Sequence, residues 1–315
     1  MEGGKAGRRL WYSLGVVAML AIVYAIVSRT GAPSDIPELA RWTDGADEII
    51  IAKSGASVRL FRSGGGWRVG DEGFPADPEA AGAMEKKLLD LSITQMVSRM
   101  PHYEQYNLTP EKGIEVAARR AGRDLRRIVI GRQSGKSTHT YIRLDGRPEI
   151  FKASGTLSYD FDKTAESLRD RAVINIAADD ITGISLRRGK SALTFVKEAA
   201  APDGKGAKGG AAPQRWVCAE HRGVELHEVK METLVKSFGP LKARGFPPVD
   251  PRSLKNPLCT VSVSAKGGVT GLKLYRGDSE YGYYCVSTAS PYVYDVAKYL
   301  VEQYLKDIKG FSTAE

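Results

Sequence analysis

Residues 180–196 read DITGISLRRGKSALTFV, and residues 47–61 read DEIIIAKSGASVRLF. Each stretch opens on an acidic residue, passes through a short apolar segment and returns after a glycine as a second one. Short apolar segments broken by glycine read as an antiparallel meander. The first continues through Gly64-Gly65-Gly66 to Trp67 and Val69, and the second reaches Trp216. The restart of the order at Asp180 decides the expected fold, two copies of one strand-rich module in tandem.

Working outward, a helix follows each meander. In the first copy Asp77 is the expected N-cap and Pro78 the first helical residue, with Met84, Leu88 and Leu91 on one face. In the second, Met231, Leu234, Val235 and Phe238 keep helical spacing until Gly239 and Pro240 stop them. A second set of strands then appears in both. The first set is Ile114–Ala118, Leu125–Ile130, Thr140–Leu144 and Glu149–Ala153. The other is Cys259–Ser264, Gly271–Tyr275 and Tyr281–Ser287. Closing helices are expected over Ser158–Arg169, carrying Phe161, Ala165 and Leu168, and at the end of the chain, carrying Val296, Leu300, Tyr304 and Ile308. The expected class is α+β: repeated modules of antiparallel meander sheets, each closed by a helix that covers one apolar face.

One transmembrane helix is expected ahead of them. Residues 10–27, LWYSLGVVAMLAIVYAIV, carry no charge and span about 27 Å as a helix, close to a ~30 Å hydrocarbon core. Lys5, Arg8 and Arg9, opposed by Glu2, keep residues 1–9 in the cytoplasm. Trp11, Tyr12 and Tyr24 suit the interfacial belts. The run is longer than a signal-peptide core, and Pro33 follows the small residues Thr30 and Ala32 that imitate a cleavage site, so a retained anchor is favoured over cleavage. Residues 28–44, with Pro33 and Pro37, form a tether. The module pairs then occupy 45–170 and 171–310. Ala199–Gln214, AAAPDGKGAKGGAAPQ, interrupts the second as a flexible insertion, an inert loop before a partner-binding arm.

The composition is that of globular material, 42% hydrophobic and 26% charged. The formal net charge of +9 favours acidic partners, anionic lipid headgroups or acidic glycans, and the extracytoplasmic topology argues against nucleic acid. Three cysteines, Cys218, Cys259 and Cys285, are too few for a disulfide scaffold, and spacing does not say whether Cys259 and Cys285 pair.

Candidate chemistry is thin. Gly131–Thr138, GRQSGKST, resembles a phosphate loop but has one residue too few before its Gly-Lys pair and leads into a strand-like segment, so it reads as a hairpin turn. His102, His139, His221 and His227 show no metal-ligand spacing. No nucleophile elbow occurs. The pairs Asp179-Asp180 and Asp160/Asp162 are explained by capping as well as by acid–base work. No catalytic residue, metal or cofactor is therefore expected. Two surfaces are candidates for binding. Arg119, Arg120, Arg123, Arg126, Arg127, Arg132 and Lys136 lie along one hairpin with Asp124 the only acid between its ends, a strip for an acidic glycan, a lipid headgroup or an acidic protein. Its bland counterpart is a charged edge that discourages strand aggregation. Tyr281, Tyr283, Tyr284, Tyr292 and Tyr294 belong to a tyrosine-rich last module, suited to a sugar or protein interface, although strand alternation turns about half of them inward.

GGGWRV, PQRWVC, YNLTP, LRRIVIG, YIRLDG, LRDRAV and DDITGISL, set behind an N-terminal anchor, together resemble the bacterial family called domain of unknown function 4340. The resemblance covers about Asp47 to Lys309. It implies a membrane-anchored, extracytoplasmic protein, with some members linked to ABC-type transport systems of the gliding-motility kind, and it supplies no catalytic residues. The leading expectation is a non-enzymatic, single-pass binding or scaffold protein of the inner membrane, an accessory to a transport or envelope assembly. An envelope hydrolase acting on glycan or lipid, and an anionic-surface binder using the arginine hairpin, are the alternatives.

Overall fold

A computed structural model of the chain describes residues 17–25, 35–135, 138–199, 214–278 and 282–313. The fold is α+β, with mostly antiparallel sheets and few helices. The chain divides into two compact units, Met1–Arg169 and Asp170–Glu315, each with its own apolar core. Residues 17–25 are helical, and Val17, Met19, Leu20 and Ile22 are exposed there. Among the described residues no helix is long and apolar enough to cross a membrane. The rest of the expected span over 10–27 lies outside the described residues, as does the insertion from 200 to 213.

The first unit is built on nine strands: β1 (Glu48–Lys53), β2 (Ala56–Ser63), β3 (Gly66–Val69), β4 (Phe74–Pro75), β5 (Ile93–Ser98), β6 (Ile114–Arg120), β7 (Arg123–Gln133), β8 (His139–Leu144) and β9 (Ile150–Ser154). Their order is β4-β3-β2-β1-β6-β7-β8-β9-β5, with every pairing antiparallel. Period-2 alternation sets the faces: Ile49, Ile51, Ile128, Ile142 and Leu144 are buried while their neighbours are not. The β6–β7 hairpin turns through Ala121 and Gly122, both at positive φ (49° and 75°), the twist a two-residue hairpin loop needs.

Helix α1 (Pro78–Leu89) starts where the sequence predicts. The Asp77 carboxylate accepts from the N–H groups of Glu79 (2.9 Å) and Ala80 (3.1 Å), Pro78 is the first helical residue, and Ala81, Met84 and Leu88 face the core. Leu39 and Trp42, placed by sequence in the tether, pack against the same core. The expected helix over 158–169 is two pieces, α2 (Leu157–Phe161) and a 3-10 turn at Glu166–Leu168. Between them Thr164 and Ser167 exchange side-chain bonds: Ser167 Oγ accepts from the Thr164 N–H (3.0 Å), and Thr164 Oγ1 accepts from the Ser167 N–H (3.2 Å). Such hydroxyls compete with helical carbonyls and restart the chain, while Phe161 and Leu168 still reach the core. Strand β5, over a stretch where the sequence pattern predicts no strand, pairs with β9 at the far edge of the sheet.

The second unit contains β10 (Ala172–Ile174), β11 (Ile181–Arg188), β12 (Ser191–Ala199), β13 (Gln214–Cys218), β14 (Leu241–Lys242), β15 (Cys259–Ala265), β16 (Gly268–Arg276), β17 (Gly282–Ser287) and β18 (Val293–Ala297). Seven of them form an antiparallel sheet in the order β13-β12-β11-β15-β16-β17-β18, and β10 pairs with β14. Helix α3 (Glu228–Lys236) buries Met231, Leu234 and Val235, and Phe238 stacks on Tyr304 with ring centroids 5.3 Å apart. The expected terminal helix is shorter than its periodicity suggests. Val296 belongs to β18, opposite Tyr283, so α4 covers Lys298–Tyr304 alone and Ile308 begins a 3-10 turn. The β-branched and aromatic run VYDV gains a full set of ladder bonds to β17, which outweighs its helical spacing.

The cysteines sit in this second core, all three buried and free. Cys259 lies opposite Leu274, and Leu274 opposite Cys285, so two strand spacings separate them. That distance, about 9.5 Å, exceeds what a disulfide bridges. Burial pushes the Cys259 thiol up to about 11 and Cys285 up to about 12, so both stay protonated and unreactive.

Candidate functional site

The six described residues of the basic strip do not form one surface. Arg119 Nε donates to Asp124 Oδ1 (2.7 Å), Arg127 Nη2 reaches Asp124 Oδ2 (2.9 Å), and Arg127 Nη1 reaches Glu115 Oε1 (2.8 Å). Glu48, on the neighbouring strand β1, lies 3.6 Å from Arg119. Two arginines thus face three carboxylates, and the outer face of this hairpin is close to self-neutralised. The hydrogen bond from Arg119, backed by Arg127, holds the Asp124 carboxyl below the ordinary carboxylate range. Arg120 donates to the carbonyls of Asp44 (2.8 Å) and Gly45 (2.6 Å), tying down the segment that leads into β1.

Arg126 points the other way. It shares the inward face of β7 with Ile128 and Ile130, is 7% exposed, lies over the Trp42 ring and donates to the Ala40 carbonyl. Burial lowers its affinity for the proton, and the Trp42 face partly compensates the desolvation. Arg132 donates to the Gln105 carbonyl (2.7 Å) and lies over Tyr141 and Tyr106. Arg123 is exposed at the hairpin end, and Lys136 lies outside the described residues. The described part of the expected strip is therefore divided between ion pairs, backbone ties, one buried cation and the exposed Arg123.

The described residues of GRQSGKST run from β7 into β8. Gly131, Arg132 and Gln133 end β7, the Ser134 N–H donates to the His139 carbonyl (2.8 Å), and β8 begins at His139. Among the described residues the segment leads from β7 into β8 and not into a helix, whose N-terminus a phosphate loop needs. Gly131 is there for another reason: a Cβ would collide with the Tyr106 carbonyl and press on Leu108.

The tyrosines also divide. Tyr294 is buried, with its hydroxyl donating to Ser290 Oγ (2.7 Å), and burial raises its pKa. Tyr283 and Tyr292 are half-buried against the core, and Tyr292 meets Phe246 edge-on. Tyr284 donates to Asp278 Oδ2 (2.7 Å) from the opposite face of β17. Tyr281 lies outside the described residues. These side chains fill the core more than they present an interface. Among the described residues no group of His, Cys, Asp and Glu is gathered to hold a metal ion.

A feature that sequence reasoning missed lies at the other end of this sheet. A cleft of about 870 Å³ opens between β13 and α3, with the loop 222–226 as its second wall. Met231 and Val235 from α3 lie beneath it, and Trp216 lines it with the Lys197 ammonium over its ring. Asp179, Glu225, Glu228 and Glu232 are matched by Lys197, Arg215, Arg222 and Lys236, so the rim carries no net charge. The sequence signal is weak: between Cys218 and α3 the chain reads AEHRGVELH, with no proline and no β-rich run to close the space.

The model of the family described as domain of unknown function (DUF4340) matches residues 67–257, about three fifths of the chain. The chain belongs to the DUF4340 family. The DUF4340 match begins at Trp67 in β3 and ends just before β15, taking in residues of both units. No curated protein and no solved structure matches the chain.

Proposed function

We propose that this DUF4340 protein is a non-enzymatic, single-pass binding or scaffold protein of a bacterial inner membrane, with its N-terminus in the cytoplasm and its two units outside. In this reading it serves as an accessory part of a transport or envelope assembly. The observation that carries the binding role is the cleft beside β13, walled by a sheet edge and floored by apolar side chains from α3. Apolar concavities with a balanced polar rim suit the recognition of another molecule. The anchor reading draws on the uncharged run 10–27 behind Lys5, Arg8 and Arg9, and on the exposed apolar side chains of the helical residues 17–25. The transport link draws on family resemblance.

The two units are read as copies of one module. The order β3-β2-β1-β6-β7-β8-β9 in one parallels β13-β12-β11-β15-β16-β17-β18 in the other. Local hydrogen bonds run in parallel as well. Gly70 N–H to Arg59 carbonyl (2.9 Å) matches Ala219 to Thr194 (2.8 Å), and Asp77 to Leu168 (2.9 Å) matches His227 to Phe311 (2.8 Å).

Crosslinking in intact cells followed by identification of neighbours tests the binding role. Recovery of a defined envelope protein is expected, and its loss on deletion of residues 170–315 would assign the contact to the second unit. A reporter fused after Glu315 should be active only outside the cytoplasm. Cytoplasmic activity of that reporter would overturn the topology.

A further inference from the structure

The two matched meanders differ at one edge. In the first unit β3 is covered. Arg68 and Val69 pair with Pro75 and Phe74 of β4, and the Ala76 N–H donates to the Trp67 carbonyl at 3.0 Å. Phe74 packs against the core there, beneath the Arg169 guanidinium. The backbone phase explains the geometry. Gly70 donates to Arg59 on β2, so alternate residues, Trp67 among them, turn their backbone groups away from β2 and toward β4.

Strand β13 has the same phase and, among the described residues, no cover. Ala219 donates to the Thr194 carbonyl on β12, which places Val217 and Arg215 in phase with it. The N–H and C=O of Trp216 and Gln214 therefore face outward. Among the described residues β13 pairs with β12 alone. The segment that would supply the cover coils back on itself instead: His221 N–H bonds the Cys218 carbonyl (3.2 Å) and Val224 N–H bonds the His221 carbonyl (3.0 Å). Glu220 reinforces this turn by accepting from the Thr194 N–H (2.6 Å) and hydroxyl (2.8 Å). Leu226 occupies the place of Ala76, one residue before the helix-start bond to Phe311, yet the cleft lies between it and Trp216.

We propose that this cleft is a strand-addition site, in which an extended segment of a second polypeptide pairs with the outward edge of β13 and buries an apolar side chain over Met231 and Val235. The proposal rests on the binding reading above and names its partner chemistry. An unpaired sheet edge with pockets for alternate side chains is a recurring mode of peptide recognition. The first unit shows the occupant the geometry takes, an extended pair of residues led by an aromatic side chain, Phe74. The neutral rim selects no charged ligand, which leaves main-chain bonding and one apolar anchor as the recognition elements. The chain's own residues 200–213, AAPDGKGAKGGAAP, hold no branched apolar or aromatic side chain.

The test uses the full chain in detergent micelles and two synthetic peptides. One is GDEGFPADP, the sequence of residues 70–78, and the other is the alternating peptide KTVTFTVTK. Saturable binding of at least one peptide is expected, with the Trp216 amide exchanging its hydrogen at least tenfold more slowly in the complex. Gln214→Pro removes an outward N–H from an edge position that tolerates proline, and should weaken binding about tenfold with an unchanged circular dichroism spectrum. N-methylation of alternate residues of KTVTFTVTK should do the same without touching the protein. Absence of saturable binding by both peptides, or equal binding of the methylated one, would overturn the proposal. So would a Trp216 amide as slow in the free chain as that of Val196, which would place residues 200–213 on the edge. Slow exchange that is lost on dilution would assign the edge to a second copy, and would overturn it equally. None of these results bears on whether crosslinking finds an envelope neighbour.

Discussion

Asp124 is the hub of the arginine hairpin because two guanidinium groups reach its two oxygens, and it is the carboxylate whose removal leaves like charges facing each other. Asp124→Asn should cost about 0.5–1 kcal/mol, the range of a partly exposed ion pair in a small network. The folded-state pKa lies below the ordinary value, so this contribution is present at neutral pH and down to about pH 4, and is lost as pH falls through the depressed value. Denaturant midpoints of the two proteins should converge at the acid end; a constant gap would mean that the charge is not responsible. Gly131 makes a different point. A Gly131→Ala chain must push β7 away from Tyr106 or Leu108, at a cost of about 1–3 kcal/mol, and the loss is read by thermal unfolding. Phosphate should leave that unfolding temperature unchanged in both proteins, since the glycine accommodates a backbone carbonyl rather than an anion.

At the scale of elements, α1 is held by its own N-terminus. Asp77→Ala removes two hydrogen bonds to the first turn and should destabilise the protein by about 1 kcal/mol, while Asp77→Asn should recover most of it. Helix α3 has no such cap, because His227 stands at its N-cap position without a side-chain bond, and its hold on the sheet comes from Met231, Leu234 and Val235. This contrast explains which elements were legible in advance. Asp77, Pro78 and the apolar face of α1 lie within twelve residues and announce the helix locally. Val296, by contrast, sits at helical spacing from Leu300, yet β17 claims it. Strand β5 carries a mixed pattern, ITQMVS, that becomes a strand because β9 offers an edge.

For the whole molecule, the division at Arg169 leaves each side with a core of its own. Residues 170–315 expressed alone should therefore unfold cooperatively and keep Cys259 and Cys285 unreactive to iodoacetamide at pH 8 until denatured. Immediate alkylation of either thiol in the isolated fragment would show that its core needs the rest of the chain. Period-2 alternation, glycine turns and a capped helix are written into neighbouring residues, and from them the α+β class, most of the strands, the α1 start and the hairpin nature of GRQSGKST could be read directly. Partners across a sheet are not written there. Arg119 meets Glu48 across 71 residues, Arg126 turns inward because Trp42 lies over that face, and among the described residues β13 pairs on one side alone because Cys218–Val224 coils. Each of those outcomes depends on which distant surface arrives beside a residue, and that is settled only when the whole sheet has packed.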